Sequence, residues 1–241
     1  MFFIKKQPVI VDCFTSRPDV FEFAKPDKAT NFFPKWWKEL NANEVNMKGC
    51  AGFIDLFSNS FCFPMWSDLS VEIGAAGSEQ YIWQFADETS IAISHNKEQW
   101  GDFLTADYQH LKLENPWALR SKDKCNFYFS QPVYNGIGIN EQDGIVILPG
   151  IINFKYQSSL NINILFKRGI EPNNFMFDFG MPIGSITPMT ERKVKLKYHL
   201  VTIEEERNIR LSTSPKISFT KSYYKLKKIK SRGKCPLGFS K

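Results

Sequence analysis

The histidines, which are the side chains best suited to proton transfer and metal binding near neutral pH, are isolated in this sequence. His95, His110 and His199 have no second histidine two or four positions away. A metal site on strands needs imidazole nitrogens that converge on one ion, as a His-x-His pair with further ligands provides. We therefore predict that each histidine is a surface or hydrogen-bonded side chain, and that the protein binds no metal and no other cofactor.

Nucleophilic catalysis has no recognisable sequence context either. No Gly-x-Ser-x-Gly segment occurs, and Cys62 lies in the apolar run SFCFPMW, which predicts an inert buried thiol. Asp87 and Glu88 are adjacent acids at a predicted turn, where we expect them to be solvated. A Gly-rich phosphate loop and an acid pair suited to magnesium are not apparent. These residues alone therefore do not predict an enzyme.

The elements that would position these side chains are predicted to be mostly strands. The chain has 241 residues, of which 43% are hydrophobic and 15% aromatic, with 22 Phe against 6 Trp and 8 Tyr. Aromatic residues favour strands over a helical bundle, and a chain of this length can bury one substantial core. Short apolar runs separated by Gly, Pro and Asn, without alternating strand and helix units, predict an all-β closed barrel or jelly roll.

The stretch 143–189 predicts the clearest succession of strands. Four short strand-like runs are separated there by turn-forming residues, and the run 175–179 alternates Phe175, Phe177 and Phe179 with Met176 and Asp178. The following segment, 193–201, alternates apolar side chains with lysines, which is typical of a strand with one face in the core and one in water. Within 143–189, strands are predicted at 145–148, 160–166, 175–179 and 183–187.

Two segments of this stretch resemble a known family. Gly150-Ile151-Ile152-Asn153-Phe154-Lys155-Tyr156 resembles the third motif of trimeric dUTPases, Gly-Val-Ile-Asp-x-x-Tyr-Arg-Gly. About 27 residues later, Gly180-Met181-Pro182-Ile183-Gly184-Ser185-Ile186 is similar to the Gly-x-x-Ile-Ala/Gly-Gln-Leu strand that dUTPases share with dCTP deaminases. The resemblance covers roughly residues 143–190. It implies a distorted jelly-roll barrel that assembles as a trimer and holds a deoxynucleotide between subunits.

The catalytic groups of that family are replaced here. Its aspartate, which orients the sugar hydroxyl and the attacking water, corresponds to Asn153, its arginine to Gln157, and the glutamine of the later strand to Ser185. Asn cannot act as a general base, because its amide has no usable pKa near neutrality. The family's tyrosine, which stacks on the sugar, is retained as Tyr156, and the deaminase glutamate would fall near Asn163. The resemblance therefore implies ligand contacts from Asn153, Tyr156, Gln157 and Ser185, but no catalysis by them.

The first half of the chain predicts further strands and a tryptophan-rich helix. NFFPKWWKEL at 31–40 predicts a short helix whose tryptophans plug the barrel end, with an aromatic platform for a base, sugar or partner as the alternative. The runs 79–87 and 89–95 alternate well enough to predict a hairpin. A strand within 110–121 is predicted to break at Asn115-Pro116.

Positive charge is concentrated at the C-terminal end. Residues 191–241 hold 15 Lys or Arg against 4 Glu, whereas the other 190 residues hold 16 basic and 21 acidic groups. We divide the chain into a β-barrel domain at 1–202 and a basic, partly helical C-terminal extension at 203–241. The extension suits docking on a sister subunit or another protein, then exposure to solvent, and less well nucleic-acid binding. Its candidate contact residues are Lys225, Lys227, Lys228, Lys230 and Arg232.

The cysteines and the apolar runs predict a cellular compartment. The five cysteines are scattered without a CxxC pair, which favours a reducing setting. No run approaches eighteen apolar residues, so we expect neither a signal peptide nor a membrane span. The segments GFIDLFSNSFCFPMWSDL, HLKLENPW and ILPGI are similar to parts of uncharacterised phage and bacterial proteins. We therefore expect a cytoplasmic location, in the host cytoplasm or the virion if the protein is phage-encoded.

The function that the sequence favours is a non-catalytic binding or assembly module. Self-association is expected, as a trimer if the dUTPase resemblance holds. One alternative is a nucleotide pyrophosphatase or deaminase that acts on deoxynucleotides with essential groups from elsewhere in the chain. Another is a structural or assembly component of a virion.

Overall fold

A computed structural model describes residues 7–41, 44–78, 80–94, 107–132, 134 and 144–212. Strands dominate these residues, and the helices are short. The strands are β1 (Val9–Thr15), β2 (Asp27–Lys28), β3 (Phe61–Pro64), β4 (Leu69–Ile73), β5 (Tyr81–Phe85), β6 (Ala92–Ser94), β7 (Tyr108–Arg120), β8 (Phe127–Ser130), β9 (Ile145–Ile147), β10 (Gly150–Ile152), β11 (Ser159–Lys167), β12 (Asn173–Phe177), β13 (Pro182–Pro188) and β14 (Val194–Leu200). The helices are α1 (Pro18–Phe23), α2 (Lys35–Glu39), α3 (Ala51–Asn59) and α4 (Ile203–Leu211).

The strands form three sheets, which confirms the all-β class. Sheet A has the order β14-β1-β7-β11-β9, with β6 also paired to β7. Sheet B has the order β10-β8-β13-β3-β2, and sheet C the order β12-β4-β5. All pairs are antiparallel except β1 with β14, which run parallel. All four strands predicted within 143–189 are present, as β9, β11, β12 and β13, whereas the dUTPase-like course of the chain stays a prediction.

One core cluster draws side chains from all three sheets. The alternation of β1 directs Val9, Val11 and Cys13 inward, and each is fully buried. Phe166 of sheet A packs against Phe175 of sheet C with their ring centroids 5.1 Å apart, so the sheets meet through aromatic contacts. Burial of a large apolar side chain contributes about 1.5–3 kcal/mol each. The hydrophobic pattern of the strands therefore holds the sheets together.

The predicted hairpin between 79–87 and 89–95 is wrong. β5 pairs with β4 in sheet C, whereas β6 pairs with β7 in sheet A. Between the two strands, the Asp87 carboxylate accepts hydrogen bonds from the backbone N–H groups of Thr89 and Ser90, both at 2.8 Å. The chain thus passes from one sheet to another at this turn. Alternation identifies a strand, but it does not identify the partner of that strand.

The predicted break at Asn115-Pro116 is also wrong, because β7 runs through both residues to Arg120. On one edge, β6 pairs with the first half of β7 and β1 pairs with its last three residues. Pro116, which has no backbone N–H, lies between these two partners. On the other edge, the register with β11 shifts between Ser159 and Asn161. The backbone N–H that Pro116 lacks is therefore missing where the hydrogen-bonded pairing of β7 with its neighbours is interrupted.

The tryptophan-rich segment forms α2 and packs on the outside of sheet B. Trp37 is 5% exposed and contacts Phe33, Phe57 and Tyr134 in a second, smaller aromatic cluster. Trp36 is 42% exposed, and its indole N–H donates to the backbone oxygen of Tyr134 at 3.1 Å. The predicted short helix and the packing of Trp37 are confirmed, whereas a plug at the end of a barrel stays a prediction and Trp36 presents part of its ring to solvent.

The beginning of the C-terminal extension is an ordered helix, as predicted. A capping box between Thr202 and Glu205 starts α4. Glu206 accepts a hydrogen bond from the backbone N–H of Ser16 at 2.7 Å, and Arg210 donates to the backbone oxygen of Asn115 at 3.1 Å. These bonds dock α4 on β1 and β7. In the described ranges, no helix is both long and apolar enough to cross a membrane.

Candidate functional site

The residue that matches the dUTPase aspartate, Asn153, lies in a tight turn between β10 and β11. Its backbone oxygen accepts hydrogen bonds from the N–H groups of Tyr156 at 2.9 Å and Gln157 at 3.1 Å. Its side-chain oxygen accepts from the N–H of Lys155 at 3.1 Å, and its amide donates to the Asn126 side chain at 2.8 Å. Asn153 is only 2% exposed, and both ends of its side-chain amide are engaged by the protein, the oxygen within the turn and the nitrogen with Asn126.

The tyrosine and glutamine of the same motif are held by the body of the protein. Tyr156 is 1% exposed and is one of the largest fully buried side chains. Gln157 is partly exposed, but its amide donates to the backbone oxygen of Ser159 at 3.0 Å. The next residue, Ser158, accepts a hydrogen bond through its backbone oxygen from the N–H of Leu119, which ties the turn to β7. This turn therefore presents little side-chain surface to a ligand.

Ser185 lies apart from the other residues of the motif. Its hydroxyl is 3.1 Å from the hydroxyl of Ser130 in sheet B, whereas Asn153 contacts Asn126. Ser130 and Asn126 are four positions apart along one extended segment, which separates the two contacts by about 13 Å. The structure thus brings Asn153, Tyr156 and Gln157 together in one turn and places Ser185 elsewhere.

Ser185 instead forms part of a cleft over the outer face of sheet B, between α3 and the segment that follows β8. The cavity volume of the cleft is about 60 Å³, enough for a few waters. A pocket for a drug-sized ligand usually has roughly 300–1,000 Å³. In this conformation the cleft is therefore too small for a nucleotide. It is lined by Ala29, Leu56, Phe57, Ser60, Cys62, Ser130, Gln131, Pro132, Tyr134 and Ser185.

Burial disfavours ionisation of the thiol and the phenol that line this cleft. Cys62 is 3% exposed, which confirms that its thiol is buried, and this burial raises the pKa of the thiol to about 12. Burial also raises the pKa of the Tyr134 hydroxyl. The hydroxyls of Ser60 and Thr187 are 2.7 Å apart and bond each other. Because neither the thiol nor the phenol ionises near neutral pH, neither of these two groups is an activated nucleophile.

Two histidines lie on sheet A, and both are hydrogen-bonded as predicted. His110 is 2% exposed, and its Nε2 is 3.1 Å from the side-chain oxygen of Asn163. The Nε2 of His199 is 2.9 Å from an Asp12 oxygen. His95 lies outside the described residues. Among the residues that are described, no group of three His, Cys, Asp or Glu side chains is placed to hold a metal ion.

The contact residues predicted in the C-terminal extension lie outside the described part of the chain. The last residue of the extension that the structure describes is Ser212, directly after α4. The role of these cations therefore stays a prediction. They are Lys225, Lys227, Lys228, Lys230 and Arg232.

Asp87 is held much more firmly than a solvated turn acid. Burial opposes its ionisation, but hydrogen bonds from Ser90 and Thr89 lower the pKa of the Asp87 carboxyl well below its usual range. Arg17 adds an ion pair at 3.4 Å. The sequence signal for this turn was an aspartate followed by Thr and Ser two and three positions later, because an aspartate side chain accepts hydrogen bonds from backbone N–H groups at those positions.

Arg168 is a buried cation that sequence reasoning did not single out. It is 8% exposed and donates to the backbone oxygens of Gly74 at 3.3 Å and Gln80 at 3.4 Å. Its other terminal nitrogen donates to the Gln109 side chain at 3.0 Å. Arg168 therefore links sheet A to the connection between β4 and β5. Its sequence context, a Lys-Arg-Gly turn after a strand, carries no signal for burial.

Comparison with known proteins adds no family to this geometry. No protein-family model and no curated protein matches the chain.

Proposed function

We propose that this protein is a non-catalytic binding or assembly module rather than a nucleotide hydrolase. The observation that carries this proposal is the inward-facing turn at Asn153. Its side chain is 2% exposed and bonds Asn126 and the Lys155 backbone, while Tyr156 beside it is 1% exposed. A residue that orients a sugar or a water must reach that ligand within hydrogen-bond distance. Buried side chains engaged within their own turn do not meet that requirement.

Self-association is the second part of the proposal. It is supported by the charge distribution, because residues 191–241 hold 15 basic groups against 4 acidic ones while the remainder is acidic. A basic extension on an acidic body suits contacts between copies or with another protein. We also propose that the module acts in the cytoplasm of a cell, including the host cell of a phage. The free thiols of Cys13, Cys50, Cys62 and Cys125 favour a reducing setting.

A turnover assay tests the non-catalytic part. Purified full-length protein is incubated with deoxynucleoside triphosphates and magnesium, and the release of pyrophosphate or ammonia is followed. We expect no release above the buffer blank. Steady turnover that Asn153→Ala abolishes would contradict the proposal and would support the hydrolase or deaminase alternative. Turnover that persists in Asn153→Ala would contradict it as well, and would place catalysis at another site.

Light scattering at micromolar concentration tests self-association. We expect a mass that is a multiple of the 27.9 kDa chain. A second protein lacking residues 213–241 keeps α4 and its contacts with Ser16 and Asn115, so that the body is preserved. A monomeric full-length protein would contradict self-association. An unchanged oligomer after truncation would remove the docking role of the extension.

A further inference from the structure

The outer face of sheet A carries a compact group of exposed cations beside the β14 edge. In the parallel pairing of β14 with β1, Lys195 lies opposite Ile10 and Lys197 lies opposite Asp12. On the other side of β1, Asp12 lies opposite Arg120 of β7. The side chains of Lys195, Lys197 and Arg120 are exposed. Within the described ranges, none of the three makes an ion pair.

A stacked aromatic pair adjoins these cations on the same face. The rings of Phe14 and His199 are parallel to within 20°, with their centroids 4.7 Å apart. The His199 side chain is 40% exposed, and its Nε2 bonds Asp12, which fixes the orientation of the imidazole. Lys197 is two positions from His199 along β14, a distance of about 7 Å. Cations and a flat, partly exposed ring thus lie within reach of one ligand.

We propose that this surface binds single-stranded nucleic acid. Phosphates would contact Lys195, Lys197 and Arg120, and a base would stack on the Phe14–His199 pair. Proteins that bind single strands without sequence preference combine these two features, a positive surface that follows the backbone and aromatic rings that receive bases. An acidic protein partner would use the cations but would have no need of the stacked rings.

The position of Arg120 favours nucleic-acid binding over a simpler explanation of the lysines, which is protection of a sheet edge. Lysines on an edge strand discourage unwanted pairing with another sheet. That explanation covers Lys195 and Lys197 on β14, but not Arg120, which lies on the interior strand β7. The three cations are brought together by strand order, not by sequence proximity.

The C-terminal extension adds positive charge to the chain. α4 follows β14 directly and is bonded to Ser16, which follows β1, and to Asn115, which lies within β7. The last 29 residues, 213–241, contain nine Lys or Arg and no Asp or Glu. Because long-range attraction of a polyanion depends on summed charge, the extension would raise the rate of encounter. This proposal goes beyond the binding-module function and does not depend on self-association.

Fluorescence anisotropy with a labelled oligothymidylate tests the surface in the full-length protein. The variant Lys195→Gln/Lys197→Gln is compared with Lys35→Gln/Lys38→Gln, which removes the same charge from exposed positions on or beside α2. Each phosphate contact contributes about 0.7 to the slope of log affinity against log salt for single strands. We therefore expect the first variant to lose about 1.4 from that slope and the control to keep it.

The aromatic pair is tested with Phe14→Leu, which keeps an apolar side chain but removes the ring. We expect the affinity for oligothymidylate to fall about fivefold or more, since one base loses its stacking partner. The affinity for inorganic polyphosphate should stay unchanged, because it offers no base. Thermal unfolding of each variant checks that the fold is retained.

Three outcomes would overturn the proposal. The first is a wild-type protein that does not bind the oligonucleotide. The second is equal affinity and equal salt slope for the two lysine variants, which would assign binding to the extension. The third is a change in oligomer mass for Lys195→Gln/Lys197→Gln with unchanged oligonucleotide binding, which would assign the cations to a sister subunit. None of these results bears on the absence of nucleotide turnover, so the two proposals fail separately.

Discussion

The amide of Asn153 donates a hydrogen bond to the side-chain oxygen of Asn126 at 2.8 Å, across the junction of β10 and β8. At the same time the Asn153 oxygen accepts from the N–H of Lys155. An aspartate at this position would have no donor to offer Asn126. The amide of Asn153 thus completes the turn.

Asn153→Ala should lower the free energy of unfolding by about 1–3 kcal/mol, because the N–H of Lys155 loses its acceptor and the Asn126 side-chain oxygen loses its donor. Urea unfolding followed by tryptophan fluorescence measures the change. The control is Asn174→Ala on the exposed face of β12, where we expect a change within about 0.5 kcal/mol. Equal effects of the two substitutions would contradict a structural role for Asn153.

Arg168→Ala should lower the free energy of unfolding by about 1–3 kcal/mol. The substitution removes the donor to the backbone oxygen of Gly74, which lies in a buried residue, and to the Gln109 side chain. Arg207→Ala removes the same charge from an exposed position on α4 and serves as the control. A small, equal effect in both variants would show that Arg168 does not link sheet A to the β4–β5 connection.

Asp87 should contribute stability that depends on pH. Hydrogen bonds from Ser90 and Thr89 hold the pKa of the folded-state carboxyl below its ordinary value of about 3.9. The contribution is therefore complete above that value and is lost as the pH falls below it. Melting temperatures between pH 7 and pH 3 should fall less steeply for Asp87→Asn than for wild type. The exposed neighbour Glu88, changed to Gln, is the control, and an equally flattened profile there would contradict the assignment.

Gly184→Ala should destabilise the protein by about 1–3 kcal/mol, as overpacking of a core does. A Cβ at this position would lie 2.6 Å from the Phe129 ring, which is 4% exposed and has little room to move. Gly52→Ala on α3 is the matched control, because its Cβ meets nothing within 4 Å and alanine favours helix by up to about 1 kcal/mol. Chemical unfolding of both variants measures the difference, which would be absent if the ring moved aside freely.

Local pattern was sufficient for the individual strands. The alternation in KVKLKYHLV predicts β14, and the four strands of 143–189 lie where their apolar runs and turn residues indicate. Part of the C-terminal extension is helical, and the capping box of Thr202 and Glu205 is a local sequence signal for where α4 begins. Burial of Cys62 followed from its apolar neighbours. In each case the signal lies within a few residues of the element it specifies.

Local sequence pattern did not predict which strands pair with each other or which polar side chains are buried. β5 and β6 are neighbours in sequence but join different sheets, and β7 continues through Pro116 because its partners change there. Asn153 shows its residue type in the sequence, but not that its turn faces inward against Asn126. Lys195 and Lys197 lie near Arg120 only because β14 and β7 both pair with β1 in sheet A.

The sequence by itself determined that this is an all-β protein with a basic C-terminal end, because strand alternation and net charge are local or additive properties. Only the tertiary structure decided that the turn at Asn153 is committed to packing and that separate cations share one face. The physical reason is that sheet order joins residues distant in the chain. Register then determines which of their side chains meet, and neither property is encoded within a short window.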